Sequence, residues 1–280
     1  ILNPACSTPA FYQMTMKSGP ASKKHWTCIC KMEILLIRHG DPHYPTDSLT
    51  PRGVGEARQL AASLQHIPLD ALYVSPLGRA QETCAYTAQA KAMEPVTLDW
   101  LRERGIKRGP VYLWEAPGGM FLGDETLPTQ NDWRLPGGAM PEGAEQYARV
   151  RDGFDALLAE YGYRRDGHSY RVDRPSRAPD ARPRNARPRD ARIALFCHKG
   201  VIMTLLGDVL HWALPMLFVS LHIHPTGVTR LEMVEEEGSD GIARAHLKAL
   251  AINDLSHLGS TLAAPPTQRA RPAKPDLYGS

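Results

Sequence analysis

The sequence predicts an α/β fold, a three-layer α/β/α sandwich with a mainly parallel central sheet. Short apolar runs, which are typical of buried strands, alternate along the chain with longer segments in which apolar residues recur at helical spacing. The run Ile34–Ile37 is uninterrupted, as expected for a strand that is covered on both faces. An alternation of strands and helices places helices on both sides of such a sheet.

The predicted elements follow one another in an order that fits this architecture. In chain order we expect a strand at 33–38, a helix from about 52 to 65, a strand at 71–74, a helix from 77 to about 90, a helix at 142–161, a strand at 193–197, a helix at 201–210 and strands at 227–234 and 243–252. Thr50 or Pro51 opens the first helix, since threonine caps helix N-termini and proline suits the first turn. The interval from Arg104 to Pro141 shows no clear period.

The chain has 280 residues, 42% of them hydrophobic, which is enough for one α/β domain with a sizeable core. We assign this domain to residues 32–258. Residues 1–31 show no sustained period and are expected to be an unstructured N-terminal extension, with Met32 as the natural start. The Arg/Pro-rich stretch at about 178–192 is expected to be a disordered insert, because proline and like charges oppose regular structure. Residues 259–280 are expected to form a flexible tail.

The net charge of +3 hides an uneven distribution. Residues 1–31 carry +4, residues 171–192 carry +5 and residues 260–280 carry +2. Because these segments together carry +11 and the whole chain carries +3, the rest of the chain carries −8. A nucleic-acid-binding protein needs a basic face on its folded domain. We therefore expect no nucleic-acid partner.

Membrane and redox signals are equally sparse. No apolar run approaches the roughly 20 residues that span a bilayer, so we expect no membrane partner. The five cysteines form no pattern that requires an oxidising compartment, and Cys84 and Cys197 lie in helical and strand patterns where buried thiols are common. We expect a cytoplasmic protein and leave a homodimer open as its oligomeric state.

Polar residues follow three of the predicted strands directly. The three segments are Arg38-His39-Gly40, Ser75-Pro76-Leu77-Gly78-Arg79 and His198-Lys199-Gly200. Ligands of open α/β sheets bind at the carboxyl ends of the strands, and each segment also precedes a helix whose first N–H groups attract anions. Two arginines and two histidines at one point call for a negative ligand. A phosphoryl group fits, because arginine holds its oxygens in bidentate geometry.

Four blocks of the sequence resemble the histidine phosphatase (phosphoglycerate mutase-like) superfamily. They are Arg38-His39-Gly40, Leu49-Thr50-Pro51-Arg52-Gly53, Ser75-Pro76-Leu77-Gly78-Arg79-Ala80-Gln81-Glu82-Thr83 and Phe196-Cys197-His198-Lys199-Gly200. The resemblance covers roughly residues 32–258 and is closest to the bacterial phosphatase branch. It implies a phosphoglycerate mutase-like fold and a phosphoric monoester hydrolase of the histidine acid phosphatase type.

The resemblance also implies a role for each matching residue. His39 attacks phosphorus and forms a phosphohistidine, while Arg38, Arg79 and His198 hold the equatorial oxygens. Four further residues are expected to contact substrate, and these are Gly40, His43, Thr50 and Lys199. For Lys199 a surface position is the alternative. The interval between Arg104 and Pro141 corresponds to the substrate cap of the family.

A carboxylic acid must protonate the leaving oxygen and later activate water. The resemblance points to Glu103 in Leu101-Arg102-Glu103, and Glu115 in Trp114-Glu115 is the rival. No metal or organic cofactor is expected. His222 and His224 share a face of an apparent strand, which is metal-like spacing, but no third ligand lies within reach in the sequence. We therefore expect packing or surface positions for both histidines.

Three functions remain open, in a definite order. The first is a phosphomonoesterase that acts on small phosphorylated metabolites. The second is a phosphoglycerate mutase, but Glu103-Arg104-Gly105-Ile106 lacks the His-Tyr pair that true mutases carry at this place. The third is a non-catalytic module that binds a phosphorylated ligand or a protein, which is disfavoured because His39 and Glu103 are both present.

Overall fold

The computed structural model describes residues 32–105, 141–173, 190–238 and 240–259, together with short pieces between 107 and 139. The helices within them are α1 (Pro51–Leu64), α2 (Gly78–Lys91), α3 (Pro141–Glu160), α4 (Lys199–Val209) and α5 (Leu214–Ser220). The strands are β1 (Glu33–Arg38), β2 (Pro42–His43), β3 (Ser48–Leu49), β4 (Ala71–Val74), β5 (Val96–Thr97), β6 (Lys107–Arg108), β7 (Val111–Tyr112), β8 (Arg134–Leu135), β9 (Gly138–Ala139), β10 (Tyr163–Asp166), β11 (Ser169–Val172), β12 (Arg192–Cys197), β13 (Val228–Glu237) and β14 (Ala243–Asp254). Short 3-10 helices cover Tyr44–Thr46 and Asp99–Leu101.

The central sheet has eight strands in the order β10-β11-β14-β13-β1-β12-β4-β5. The strands β1, β12, β4 and β5 pair in parallel. On the other side of β1, the strands β13, β14, β11 and β10 extend the sheet by antiparallel pairing. Only β13 and β11 run against β1, so six of the eight strands point the same way and the mainly parallel sheet is confirmed. The carboxyl ends of β1, β12 and β4 therefore lie side by side at one edge.

Helices cover both faces of the sheet, which confirms the three-layer sandwich. Alternate residues of β1 point to opposite sides, so that Ile34 and Leu36 join one core cluster while Leu35 and Ile37 join the other. The first cluster contains the apolar residues of α3, α4 and α5, and the second contains those of α1 and α2. Burial on both faces explains why β1 has no polar residue between Glu33 and Arg38.

All nine helices and strands of the predicted order are present, with ends that differ by at most three residues from those expected. The sequence-based prediction missed α5, the hairpin of β10 and β11, and the two-residue strands, among them β5 at the edge of the central sheet. The hairpin strands are four residues long and rich in arginine, so they lack the apolar alternation that marks a strand. Helix α5 has only seven residues, too few to establish a helical period.

The predicted Arg/Pro-rich insert ends earlier than expected, because Arg192 is already the first residue of β12. Its backbone N–H donates to Asp70, and its guanidinium pairs with Glu33 of the neighbouring strand β1. The rest of the insert up to residue 189, the N-terminal extension and the tail from residue 260 lie outside the described residues. In the part of the chain that is described, no helix is both long and apolar enough to cross a membrane.

Candidate active site

Arg38 and His39 lie at the carboxyl end of β1, where their backbone is held on two sides. His39 donates its N–H to the carbonyl oxygen of Cys197 on β12 at 3.0 Å, and the N–H of Thr226 donates to the carbonyl oxygens of both residues. The Arg38 guanidinium donates through Nη1 to the carbonyl oxygen of Ile223. Both side chains are buried, with exposed fractions of 8% and 3%. The sheet edge therefore fixes both groups.

The imidazole of His39 is oriented by the next residue. Its Nδ1 lies 2.7 Å from the carbonyl oxygen of Gly40. A carbonyl oxygen only accepts hydrogen bonds, so Nδ1 carries the hydrogen and Nε2 keeps the lone pair. Gly40 itself donates to Thr83 Oγ1 at 2.9 Å. A Cβ at position 40 would lie 2.8 Å from the carbonyl oxygen of Gly53, so this close approach requires glycine.

Arg79 lies in the first turn of α2 and is 2% exposed. Its guanidinium forms an ion pair with Asp47, whose other carboxylate oxygen accepts from the backbone N–H of Gly78 at 2.6 Å. The ring of Tyr44 lies 5.6 Å from the guanidinium carbon. Asp47 adopts a left-handed conformation with a φ of 48°. The loop between β2 and β3 thus anchors Arg79 at the N-terminus of α2.

His198 is the N-cap residue of α4 and is fully buried. Its Nε2 lies 2.7 Å from Ser75 Oγ, and its Nδ1 has no hydrogen-bond partner among the described residues. Burial lowers the pKa of His198 well below its usual value, and the nearby charges of Arg79, His39 and Arg38 lower it further. His198 is therefore neutral at neutral pH.

These four side chains form one site, which we call the basic cup (Arg38, His39, Arg79 and His198). The ring centroids of His39 and His198 are 5.1 Å apart. Both arginines lie close enough to His198 to lower its pKa. The structure thus brings together the four residues that the sequence assigned to one anion. Guanidinium and imidazole donors that converge in this way suit a tetrahedral oxyanion.

Glu103 lies beside the basic cup and is 8% exposed. Its Oε2 accepts from the backbone N–H of Gly200, two residues after His198, at 3.0 Å. A Cβ at position 200 would lie 2.4 Å from Glu103 Oε1, so glycine makes room for this carboxylate. The rival acid, Glu115, lies outside the described residues.

The hydroxyl of Thr50 caps α1, as its sequence position predicts. It accepts from the N–H of Gly53 at 3.1 Å and donates to Asp41 Oδ2 at 2.7 Å. Its expected contact with substrate stays a prediction.

The two remaining candidates for substrate contact differ in their surroundings. His43 is exposed, and its Nδ1 lies 2.8 Å from Thr46 Oγ1. Lys199 is half-buried, with Nζ 5.9 Å from the centroid of the Phe218 ring. Lys199 is thus only partly covered, which fits a surface position, and its contact with substrate stays a prediction.

The apparent strand that carries His222 and His224 does not form. Residues 221–224 lie in the loop between α5 and β13, and this loop turns to Arg38 through the carbonyl group of Ile223. The two imidazoles still pack edge to face, with centroids 4.4 Å apart, and His224 Nδ1 accepts from Asn253 Nδ2 at 2.9 Å. Across the described ranges, no three His, Cys, Asp or Glu side chains are grouped to hold a metal ion.

Comparison with known proteins identifies the family of this chain. A sequence model described as "Histidine phosphatase superfamily (branch 1)" matches residues 34–172. The chain belongs to the histidine phosphatase superfamily. The matched range of this histidine phosphatase includes Arg38, His39, Arg79 and Glu103, and the membership assigns it to the phosphoric monoester hydrolases.

Solved structures extend the likeness over most of this histidine phosphatase. One titled "Mycobacterial hydrolase 2" is 18% identical with a TM-score of 0.54, over 83% of this chain and 94% of its own. Mycobacterial glucosyl-3-phosphoglycerate phosphatase is 18% identical with a TM-score of 0.52, over 80% of this chain and 99% of its own. The complex of that phosphatase with inorganic phosphate is 18% identical with a TM-score of 0.51, over 81% of this chain and 99% of its own. Identities this low show the fold alone. No curated protein matches the sequence.

Sequence reasoning missed the residues that hold the cup in place. Ser75 begins the motif that follows β4 in the sequence. Its place at that strand end was the one sequence feature that could have indicated its contact with His198. Asp47 carried no signal, because it lies 32 residues before Arg79 in the sequence.

Proposed function

We propose that this chain is a phosphomonoesterase that acts on small phosphorylated metabolites through a phosphohistidine at His39. The observation that carries the proposal is the hydrogen bond from His39 Nδ1 to the Gly40 carbonyl oxygen at 2.7 Å. It leaves the Nε2 lone pair available to attack phosphorus. A covalent step of this kind divides one difficult displacement into two easier ones.

The other members of the basic cup stabilise the charge on the transferred group. The guanidinium groups of Arg38 and Arg79 hold the equatorial oxygens as the P–O bond to the leaving group breaks. We assign Ser75 Oγ as the donor to His198 Nε2, which places the hydrogen of the neutral imidazole on Nδ1. The buried Nδ1–H then donates to a phosphoryl oxygen, which supplies the partner that no described residue provides.

Glu103 transfers the protons. In the first step its carboxylic acid protonates the leaving oxygen, and the phosphoryl group moves to His39 Nε2. In the second step the carboxylate takes a proton from water, the water oxygen attacks phosphorus and the P–N bond breaks. His39 and Glu103 are then restored, and phosphate leaves. Its position beside the basic cup and its burial support this role.

Small phosphorylated metabolites are the class of substrate that we infer. The mycobacterial neighbour acts, by its name, on a phosphorylated sugar acid. A mutase would have to retain a bisphosphate for a second transfer, and the Arg104-Gly105 sequence after Glu103 lacks the mutase residues. We also infer a cytoplasmic location from the two buried cysteines, Cys84 and Cys197.

Removing the nucleophile tests the proposal. We expect the variant His39→Ala to lose p-nitrophenyl phosphate hydrolysis by at least about 10³-fold, since no other group then forms the covalent intermediate. His66→Ala, at an exposed histidine just beyond the end of α1, is the matched control and keeps the wild-type rate. A chelator leaves the rate unchanged, and 3-phosphoglycerate isomerisation is measured beside hydrolysis. A His39→Ala variant with full activity, or isomerisation faster than hydrolysis, contradicts the proposal.

A further inference from the structure

A shallow, solvent-open cleft lies next to Glu103. Its walls include Arg102 and Arg104, which flank Glu103 in the sequence, Arg149 from α3 and Phe218 from α5. We call it the arginine cleft (Arg102, Glu103, Arg104, Arg149 and Phe218). Three guanidinium groups in one cleft are unexpected in a chain that carries −8 outside its three basic segments.

The guanidinium of Arg149 is fixed in one wall of the arginine cleft. It donates through Nη1 to the carbonyl oxygen of Asp99 at 2.9 Å, through Nη2 to that of Arg102 at 2.8 Å and through Nε to Gln146 Oε1 at 3.1 Å. Burial lowers the pKa of Arg149, and the charge of Arg104 is the next largest cause. The positive charge of Arg104 therefore lies near that of Arg149.

Asp99 and Glu103 raise the pKa of Arg149 and so offset part of this positive charge, but two carboxylates do not balance three guanidinium groups. Asp99 pairs with Arg102 at 3.2 Å, and Glu103 accepts from the backbone N–H of Gly200. Arg104 is exposed and lines the arginine cleft, and none of the carboxylates that the structure describes forms an ion pair with it. Arg104 thus has no counter-charge among the described residues, and two neighbouring cations favour the binding of an anion between them.

The arginine cleft adjoins the basic cup, since Glu103 and Gly200 line the cleft and Gly200 lies two residues after His198. Arg102 is among the charges that lower the pKa of His198, and Gly200 bridges the two regions because it follows His198 and binds Glu103. If Glu103 protonates the leaving oxygen, the leaving group lies on its side of the phosphoryl group. That side is the arginine cleft.

We propose that the arginine cleft binds a second anionic group, a carboxylate or a second phosphate, on the leaving group of the substrate. Arg104 determines this specificity, because its planar guanidinium fits both kinds of oxyanion in bidentate geometry. The inference rests on the proposed function, since only a Glu103 acid directs the leaving group into this cleft.

Matched pairs of esters test the inference. 3-Phosphoglycerate and glycerol 3-phosphate differ by one carboxylate, and fructose 1,6-bisphosphate and fructose 6-phosphate differ by one phosphate. We expect kcat/KM from initial rates to favour the more anionic member of at least one pair by tenfold or more. Arg104→Ala reduces that preference about tenfold, chiefly through KM, since a charge-assisted hydrogen bond is lost. Arg58→Ala, at an exposed arginine of α1, leaves the preference unchanged.

The outcomes separate the inference from the proposed function. A preference confined to the first pair identifies a carboxylate site, and one confined to the second identifies a phosphate site. Hydrolysis of all four esters without any preference, or a preference that Arg104→Ala does not reduce, overturns the inference and leaves the phosphatase assignment standing. If the wild-type protein hydrolyses neither the four esters nor p-nitrophenyl phosphate, the proposed function itself fails.

Discussion

The basic cup and the arginine cleft adjoin each other but are built in different ways. The cup side chains are buried at strand ends and helix starts, and backbone groups of β1, β12 and the loop before β13 hold them. In the cleft, the Arg102 side chain is 37% exposed, and Arg104 is exposed in the segment that follows the second 3-10 helix. If both proposals hold, the fold fixes the phosphoryl chemistry, whereas the exposed side chains of Arg102 and Arg104 select the leaving group.

This difference has a physical cause. Moving a cup residue requires a change in the sheet edge, where each shift breaks backbone hydrogen bonds in a buried environment. Changing Arg102 or Arg104 alters a side chain that is partly or largely exposed, which costs little stability, whereas Arg149 also ties α3 to the carbonyl groups of Asp99 and Arg102. Substitutions in the cup should therefore affect all substrates alike, and substitutions in the cleft should affect substrates differently.

Glu103 lies between the two regions, and its loss should give the largest effect of the substitutions considered next. Glu103→Gln keeps an acceptor for the Gly200 N–H but loses the transferable proton, so kcat should fall about 10²–10⁴-fold. The fall should be larger for alkyl phosphates than for p-nitrophenyl phosphate, whose leaving group needs little protonation. Steady-state rates with both esters provide the measurement. Glu145→Gln on the exposed side of α3 is the control.

If Glu103→Gln retains more than half of the wild-type kcat on both esters, then Glu103 is not the acid. The same measurement on Glu115→Gln would then test the rival.

Asp47 tests the rigidity of the cup itself. Asp47→Asn keeps a residue that tolerates the left-handed conformation but removes the charge that pairs with Arg79. We expect kcat/KM to fall about tenfold for every phosphomonoester, because Arg79 loses a charge-assisted contact that positions it. Asp240→Asn removes a similar pair with Arg244 on the remote β13–β14 hairpin and should leave kcat/KM unchanged. A fall confined to esters with a second anion would contradict the division between cup and cleft.

The smallest effect concerns stability and pH. The pKa of His198 is lower in the folded protein than its usual value near 6.5, so the unfolded chain binds the proton more tightly. Its contribution to stability is complete above about pH 6.5 and is lost as the pH falls below that value. His224 and His257 shift in the same direction.

Denaturant unfolding at pH 7.5 and pH 5.5 measures this loss. His198→Gln should lose less unfolding free energy between the two pH values than the wild type, by up to about 1.4 kcal/mol, because only one pH unit of the interval lies below 6.5. Equal losses in both proteins would show that His198 does not carry the expected proton linkage.

The cup could be predicted from the sequence because each of its residues follows or begins a regular element. An apolar run of strand length fixes where Arg38 and His39 emerge, and the parallel order brings His198 beside them. The position of Arg79 is predicted by the helix that begins after β4, because Arg79 lies in its first turn. The local sequence pattern and the geometry of a parallel sheet were together sufficient to place these four residues at one sheet edge.

The arginine cleft and the supports of the cup could not be predicted in this way. Arg149 reaches Arg102 across 47 residues, and only the packing of α3 against the second 3-10 helix brings them together. Asp47 and the His222–His224 loop depend likewise on contacts between distant segments. The apolar residues beside those two histidines resembled a strand, but the backbone there bonds to the side chains of Arg38 and Asn253.

The phosphorylated intermediate tests the central claim most directly. A single turnover with a labelled phosphomonoester is stopped in alkali, the protein is digested, and the modified residue and its ring nitrogen are identified by mass spectrometry and phosphorus NMR. We predict one phosphoryl group on Nε2 of His39, which is stable in alkali and lost in acid. A phosphoryl group on Nδ1 or on another residue, or turnover without any phosphoenzyme, would contradict the account.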